Sequence, residues 1–326
     1  MDLDIDWVKL EDEVRKQQGH HECEISFLDE TDLQKYKKQC TKNPNHESFI
    51  PANDFSIRNL PNCYQDPRIV DLVKVLSELT VKVKVSFTSA NRPKVFPQTA
   101  TPYPFHKCRG SDKFARTGTG RCVDFYKRSD VDDQACPCKA CKISGKPVKT
   151  WAAVIVHTAT HVVFDNSEAE FTECVLCYDS DEDRGVNLEA VDIVGGRADT
   201  DGDRCLLRCV THDIGVVDIL WQMSRIYRDL FKTVKEKCSL ASPDGQRLVV
   251  IVSHPHGCAK CVTLGHCTEE SLGQFGQTRF TYTTATCPGS SGAPVMVFGR
   301  GNEWWNHTHS GATPKGNISS EIFILE

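Results

Sequence analysis

The sequence predicts a mainly β protein, a barrel or sandwich of many short strands, preceded by a helical N-terminal region. Three observations predict it. From about Lys107 onward, short apolar runs alternate with Gly, Pro, Asp and Asn; WAAVIVHTATHVVF, RLVVIVSHP, RFTYTTAT, APVMVFG and EIFILE are the clearest. Short strands punctuated by turn residues mark an antiparallel sandwich or barrel. Residues 1–80 carry their apolar side chains mostly at helical spacing instead. Between the two, NRPKVFPQTATPYPFH (91–106) holds Pro93, Pro97, Pro102 and Pro104, which neither a regular helix nor a central strand accepts.

Taken in order, residues 6–18 place Trp7, Val8, Leu10 and Val14 on one helical face, and 31–39 form a short polar helix. Residues 66–79 read as an amphipathic helix with Pro67 at an early position and Ile69, Val70, Leu72, Val73, Leu76 and Leu79 as its apolar side. TVKVKVSF (80–87) then changes period, with Val81, Val83, Val85 and Phe87 on one face of a half-buried strand. The expected organisation is a helical extension over 1–90, a connector over 91–106 and a β domain over 107–326. One helix, 217–235, interrupts the β pattern. DSDEDR (179–184) and DTDGDR (199–204) read as solvated acidic loops. The second lacks the spaced ligands of a calcium loop.

The 326 residues allow one large domain or two ordinary ones. With 39% hydrophobic and 25% charged residues, a packed core is expected rather than disorder. The formal charge of -5 argues against a nucleic-acid partner. No apolar run approaches the roughly 18–20 residues that cross a bilayer, so no membrane partner is expected. MDLDIDWVKLEDEVRKQQ lacks the basic start and apolar run of a secretory signal, which predicts a cytoplasmic protein. The cysteines number 17, an odd count that excludes complete internal pairing. In a reducing compartment they are thiols or metal ligands.

TATCPGSSGAPVMVF (284–298) is the stretch on which the functional reading turns. Ser291 sits between glycines before an apolar run, and a hydroxyl becomes a nucleophile only beside a base and an oxyanion-stabilising site. His161, where an apolar run meets a small-residue turn, is the preferred base over His157. Asp213, in THDIGVVDIL, is the preferred orienting acid over Asp218 and Asp203. TATHVV then resembles the T-A-x-H segment of chymotrypsin-like (trypsin-fold) serine proteases, HDIGVV their D-I-A-L-L segment and CPGSSGAPV their G-D-S-G-G-P-V segment. RTGTGRCVDF (116–125), SHPHG (253–257) and HTHSGA (307–312) resemble further strands and turns of that family, so the likeness covers roughly 105–326.

The resemblance implies two six-stranded antiparallel β-barrels with the active site between them. It implies a serine endopeptidase acting on protein or peptide substrates. Ser291 attacks a carbonyl, His161 moves the proton, and Asp213 holds the imidazole. Gly289 and Ser291 supply the backbone N–H groups of the oxyanion hole, and Ala285, Ser310 and Gly311 line the substrate pocket. No cofactor is required for that chemistry. Two other readings stand beside it. One is a silent or latent protease homologue used as a cysteine-rich binding module, with residues 1–90 binding a partner or restraining the cleft. The other is an α/β-hydrolase, which GSSGA suggests but which expects the chain order Ser, acid, His.

The sequence departs from the family in ways that carry meaning. IVGG (193–196) follows His161 instead of preceding it, and Ser290 stands where digestive members have Asp, so no trypsin-type zymogen switch is expected. Val162 replaces a family cysteine, and Cys287 is the last cysteine in the chain, so two family disulfides are missing. Ala285, six positions before the nucleophile, offers no anchor for Arg or Lys and suggests a small or apolar preference. Finally, ACPCKAC and ECVLC supply Cys138 with Cys141 and Cys174 with Cys177 as half-sites for a structural zinc. Buried free thiols are the competing reading.

Overall fold

The computed structural model describes residues 7–27, 31–128, 134–183, 185–196, 198–238, 246–272, 277–299 and 307–323. The last residues of EIFILE lie outside them. The N-terminal region holds α1 (Trp7–Lys16), β1 (Glu24–Ser26), α2 (Thr31–Lys38), β2 (Ile50–Pro51) and α3 (Pro67–Glu78). Then come β3 (Thr80–Val85), β4 (Ala115–Arg128), α4 (Lys139–Ser144), β5 (Trp151–Thr158), α5 (Asn166–Ala169), β6 (Thr172–Leu176), β7 (Val186–Ile193), β8 (Cys205–Thr211) and α6 (Ile214–Cys238). The chain ends with β9 (Leu248–Ser253), β10 (Cys261–Leu272), β11 (Gln277–Tyr282), β12 (Pro294–Val297), β13 (His307–Thr313), β14 (Gly316–Ser319) and β15 (Ile322–Phe323).

Two rings of strands result. β4, β3, β6, β7, β8 and β5 pair in that order, and β5 returns to β4, which closes a six-stranded antiparallel barrel with β1 added at its rim. β11, β14, β13, β12, β9 and β10 do the same, with β10 returning to β11 and with β2 and β15 as outer additions. Closure leaves no free sheet edge in either ring. Alternation drives it: Val81, Val83 and Val85 of β3 are wholly buried and join Val154 and Val156 of β5 and Leu207 and Cys209 of β8 in one core.

The domain boundaries expected at 90 and 107 are corrected by this pairing. β3 runs antiparallel to β4 in the register Thr80↔Arg121 to Val85↔Arg116, so it is a barrel strand rather than the end of an extension. The proline-rich stretch is packed against the core, with Arg92, Tyr103 and Phe105 buried. α3 begins where expected: the Asp66 carboxylate accepts from the Arg68 N–H at 2.9 Å, and Pro67 occupies the first turn. Its Ile69, Leu72, Val73 and Leu76 are buried, and α6 packs against it. IVGG spans the end of β7 and a turn.

Candidate active site

The loop that carries Ser291 joins β11 to β12 in the second barrel, and the first barrel supplies what faces it. Ser291 is completely buried, and its Oγ lies 2.7 Å from His161 Nε2. His161 sits on the loop after β5. Its Nδ1 lies 2.9 Å from both carboxylate oxygens of Asp203, whose Oδ1 also accepts the His161 backbone N–H at 3.1 Å. Ser310 donates its hydroxyl to Asp203 Oδ2 at 2.6 Å. Burial disfavours the charged imidazole, but the Asp203 carboxylate and the neighbouring Cys23 outweigh it and raise the His161 pKa to about 9. Burial pushes the Asp203 carboxyl upward; the imidazole charge and its hydrogen bond outweigh this and hold it well below the usual carboxylate range.

The acid expected at 213 is therefore replaced by Asp203. Asp213 is exposed at the start of α6, where its carboxylate accepts the Val216 N–H at 3.2 Å. The apolar run after it has helical spacing and forms α6 instead of a barrel strand, so nothing carries that side chain into the cleft. Asp203, placed in the solvated DTDGDR turn by its composition, lies late in that turn with φ of 54°, two residues before the start of β8. The legible signal was D-R-C-L-L: an acid followed by a strand whose Cys205, Leu207 and Cys209 face the core. His157 lies within β5, buried, with its pKa lowered to about 3 by burial and by Arg121.

The histidine loop is braced from behind. Glu168 is fully buried between Arg92, at 2.6 and 2.8 Å, and Arg116, at 2.7 Å. The same guanidinium groups donate to the carbonyls of His161 and Val162, each at 3.1 Å. A buried carboxylate held by two arginines costs desolvation but fixes geometry when every donor is used.

The backbone N–H groups of Gly289 and Ser291 converge on one oxygen, 2.7 and 3.3 Å away. Gly289 has φ of 97°, and a Cβ there would lie 2.4 Å from the His254 carbonyl, so only glycine fits. Strand β4 supports the turn. Thr119 N–H donates to the Ser291 carbonyl at 2.7 Å, and its hydroxyl to the Gly289 carbonyl at 2.8 Å. That approach requires Gly118, where a Cβ would sit 2.8 Å from the Ser291 oxygen.

The oxygen held there is the backbone carbonyl of Glu22. The chain's own residues 20–26 run through the cleft. Ala312 N–H donates to the His20 carbonyl at 2.8 Å, His21 Nδ1 donates to the Ser310 carbonyl at 2.7 Å, and the His21 ring stacks on His161 at 3.9 Å. Beyond Glu22, β1 pairs with β4 in the register Glu24↔Thr117. Of the expected pocket residues, Ser310 and Gly311 line this path; a Cβ at 311 would lie 2.2 Å from the His20 oxygen. Ala285 packs instead in a small cluster with Phe49, Cys261 and Cys287. The side chains around Glu22 are polar. The Glu22 carboxylate lies 2.7 Å from His309 Nε2, accepts the Thr286 hydroxyl at 2.7 Å and pairs with Lys42.

The zinc half-sites are also regrouped. Cys138 and Cys141 gather with Cys136 around His212 Nε2, at 3.6, 3.5 and 3.2 Å. Cys174 lies inside the first barrel with its sulfur 3.6 Å from that of Cys209, and Cys177 is exposed. A second group joins Cys40, His46, His256 and Cys287. Among the described residues no helix is long and apolar enough to cross a membrane.

No protein-family model and no curated protein matches the chain. Among solved structures it is similar to the active form of the Rv3671c protease from M. tuberculosis, at 14% identity and a TM-score of 0.40, covering 80% of this chain and 82% of that one. It is similar to a thermostable serine protease, AL20, from an extremophilic microorganism, at 12% identity and 0.39, over 77% and 93%. The HtrA-type protease AlgW with a tripeptide follows at 12% and 0.38, over 77% and 58%. The fold rests on the chain's own strand pairing: two closed six-stranded antiparallel barrels, the chymotrypsin-like architecture, with His161 and Asp203 on the first and Ser291 on the second.

Proposed function

We propose that the protein is a serine endopeptidase. The observation that carries this reading is the Ser291 hydroxyl 2.7 Å from His161 Nε2, beside two N–H groups already holding a peptide carbonyl. In the reaction, Ser291 Oγ attacks a substrate carbonyl carbon while its proton passes to His161 Nε2. Asp203 keeps the proton on Nδ1 and stabilises the imidazolium. The oxyanion forms against the N–H groups of Gly289 and Ser291, each such donor typically lowering the barrier by about 2.7–4 kcal/mol. The imidazolium protonates the departing amine, which leaves an ester on Ser291. Water, deprotonated by His161, then hydrolyses that ester and restores the serine.

The chain's own segment fills the cleft, so the test uses a full-length chain in which Glu22→Ala loosens it. A fluorophosphonate probe is expected to label Ser291 in that background and to label neither the added Ser291→Ala nor the added His161→Ala variant. A folded Glu22→Ala chain that takes up no probe contradicts the proposal and leaves a binding module on a protease fold.

A further inference from the structure

We propose that the specificity pocket selects glutamate, and that the Glu22–Cys23 bond is this enzyme's own substrate, cut in cis. The inference deepens the serine endopeptidase reading and rests on it. Four features of residues 20–24 are those of a bound substrate. The Glu22 carbonyl is in the oxyanion hole. The residues before it hydrogen-bond the strand at 310–312, and the residues after it form β1 against β4. The leaving nitrogen, that of Cys23, donates to Gln18 Oε1 at 2.8 Å. The Glu22 side chain is buried, and both of its oxygens are hydrogen-bonded.

The pocket's chemistry fits a carboxylate. His309 Nε2 donates to the Glu22 carboxylate at 2.7 Å, and its Nδ1 lies 2.7 Å from the Tyr282 hydroxyl, which also donates to the Ile318 carbonyl at 3.2 Å. Lys42 reaches in from the N-terminal region and also contacts Thr286 at 3.0 Å and Asn317 at 3.2 Å. Burial pushes the Glu22 carboxyl up, but the His309 hydrogen bond and Lys42 overcome it and hold its pKa at about 2. A glutamine would present an amide to donors, and a lysine would meet Lys42. A built hydrogen-bonding pocket of this kind discriminates far more strongly than an apolar one.

In the cleavage, Ser291 Oγ bonds to the Glu22 carbonyl carbon and the bond to the Cys23 nitrogen breaks. That nitrogen takes the proton from His161, and water then releases residues 1–22 as a free acid. Intact mass spectrometry of the freshly folded full-length chain should show 1–22 and 23–326 appearing at a rate independent of chain concentration. Ser291→Ala should stay whole, and Glu22→Gln should slow the cut about a hundredfold. On a full-length Glu22→Ala chain, peptides cut after Glu should be preferred over those with Gln, Lys or Ala, and His309→Ala should erase that preference. A wild-type chain that stays whole, or a peptide series without a Glu preference, overturns the inference. If the Glu22→Ala chain still takes fluorophosphonate, the endopeptidase reading survives that failure; if it does not, both fall.

A separate observation carries a second inference: the geometry points to two structural zinc sites. Zinc bound tetrahedrally by thiolate and imidazole sets its ligand atoms about 3.4–3.8 Å apart. Cys136, Cys138 and Cys141 stand 3.2–3.6 Å from His212 Nε2. In the other group, Cys287 Sγ is 3.6 Å from Cys40 Sγ and 3.5 Å from His46 Nε2. His256 adds a buried Nε2 with no hydrogen-bond partner among the described residues, while Glu24 holds its Nδ1 at 2.6 Å. That carboxylate–histidine pairing is how proteins aim a metal ligand. Full-length protein loaded with zinc and desalted should carry two zinc ions per chain, Cys141→Ser losing one and Cys287→Ser the other. Cobalt in place of zinc should give thiolate charge-transfer absorption on the wild-type chain, a readout that needs no variant to fold. Fewer than two zinc ions per wild-type chain, or a Cys40–Cys287 disulfide in its mass, overturns the inference.

Discussion

The two barrels meet the cleft in different ways. On the first, His161 is backed by a carboxylate, Glu168, and two guanidinium groups, all without solvent access and all drawn from residues packed permanently together. On the second, the pocket also closes around a carboxylate, but it is finished from outside the barrel. Lys42, about a third exposed, and Asn43, which donates to the Thr286 carbonyl at 2.8 Å, come from the N-terminal region. On the proposed reading, the reacting groups are intrinsic to the barrels, whereas the selectivity comes partly from the N-terminal region. A buried charge that braces is held by charges that cannot leave. A buried charge that is recognised is held by an imidazole, a hydroxyl and one ammonium that can be rehydrated.

That contrast can be broken at either end. The largest expected effect on folding is at the brace. Glu168→Gln strands two buried guanidinium groups and should lower folding stability by about 3–5 kcal/mol in urea titration. Gly289→Ala attacks the chemistry without touching the brace. Its Cβ would collide with the His254 carbonyl and turn one N–H out of the oxyanion hole, lowering kcat by roughly 10²–10³ on a Glu peptide. A loss of stability as great as that of Glu168→Gln would blur the distinction.

The next effect is pH. His161 must be neutral to accept the serine proton, and with Asp203 and Cys23 beside it in the filled site its pKa is raised to about 9. Self-cleavage should therefore accelerate by roughly tenfold per unit from pH 7 and level off near 9. The folded-state pKa lies above the unfolded value of 6.5, so protonation adds stability that is whole below pH 6.5 and is lost as pH rises through 9. The smallest effect should be Lys42→Ala on folding, within about 1 kcal/mol because the side chain is partly exposed, although Glu selectivity falls. A folding loss near that of Glu168→Gln would make Lys42 a brace as well.

Much of this was legible in the sequence wherever the signal was local. Alternation at 81–87, the helix start at Asp66 and Pro67, and the turns around His161 and Ser291 are each set within a few residues. Asp203 was not legible as the partner because its turn is rich in Asp and Gly, and only the strand after it distinguishes it from Asp213, whose following residues prefer a helix. The pocket was illegible for a different reason. Glu22, Lys42, Thr286 and His309 lie far apart in the chain, and only closure of the second barrel brings them together. The cysteines fall between these cases: the run at 136–141 was visible as a half-site, but His212 reaches it only because β8 ends beside that loop.

The central claim is that Ser291 is activated by a histidine oriented by Asp203. It is tested most directly by the rate of fluorophosphonate labelling in the full-length Glu22→Ala chain with either acid changed. Asp203→Asn should slow labelling by about 10⁴-fold, while Asp213→Asn, which alters only a helix start, should label at the parent rate. Equal rates in the two variants, or loss confined to Asp213→Asn, would contradict the account.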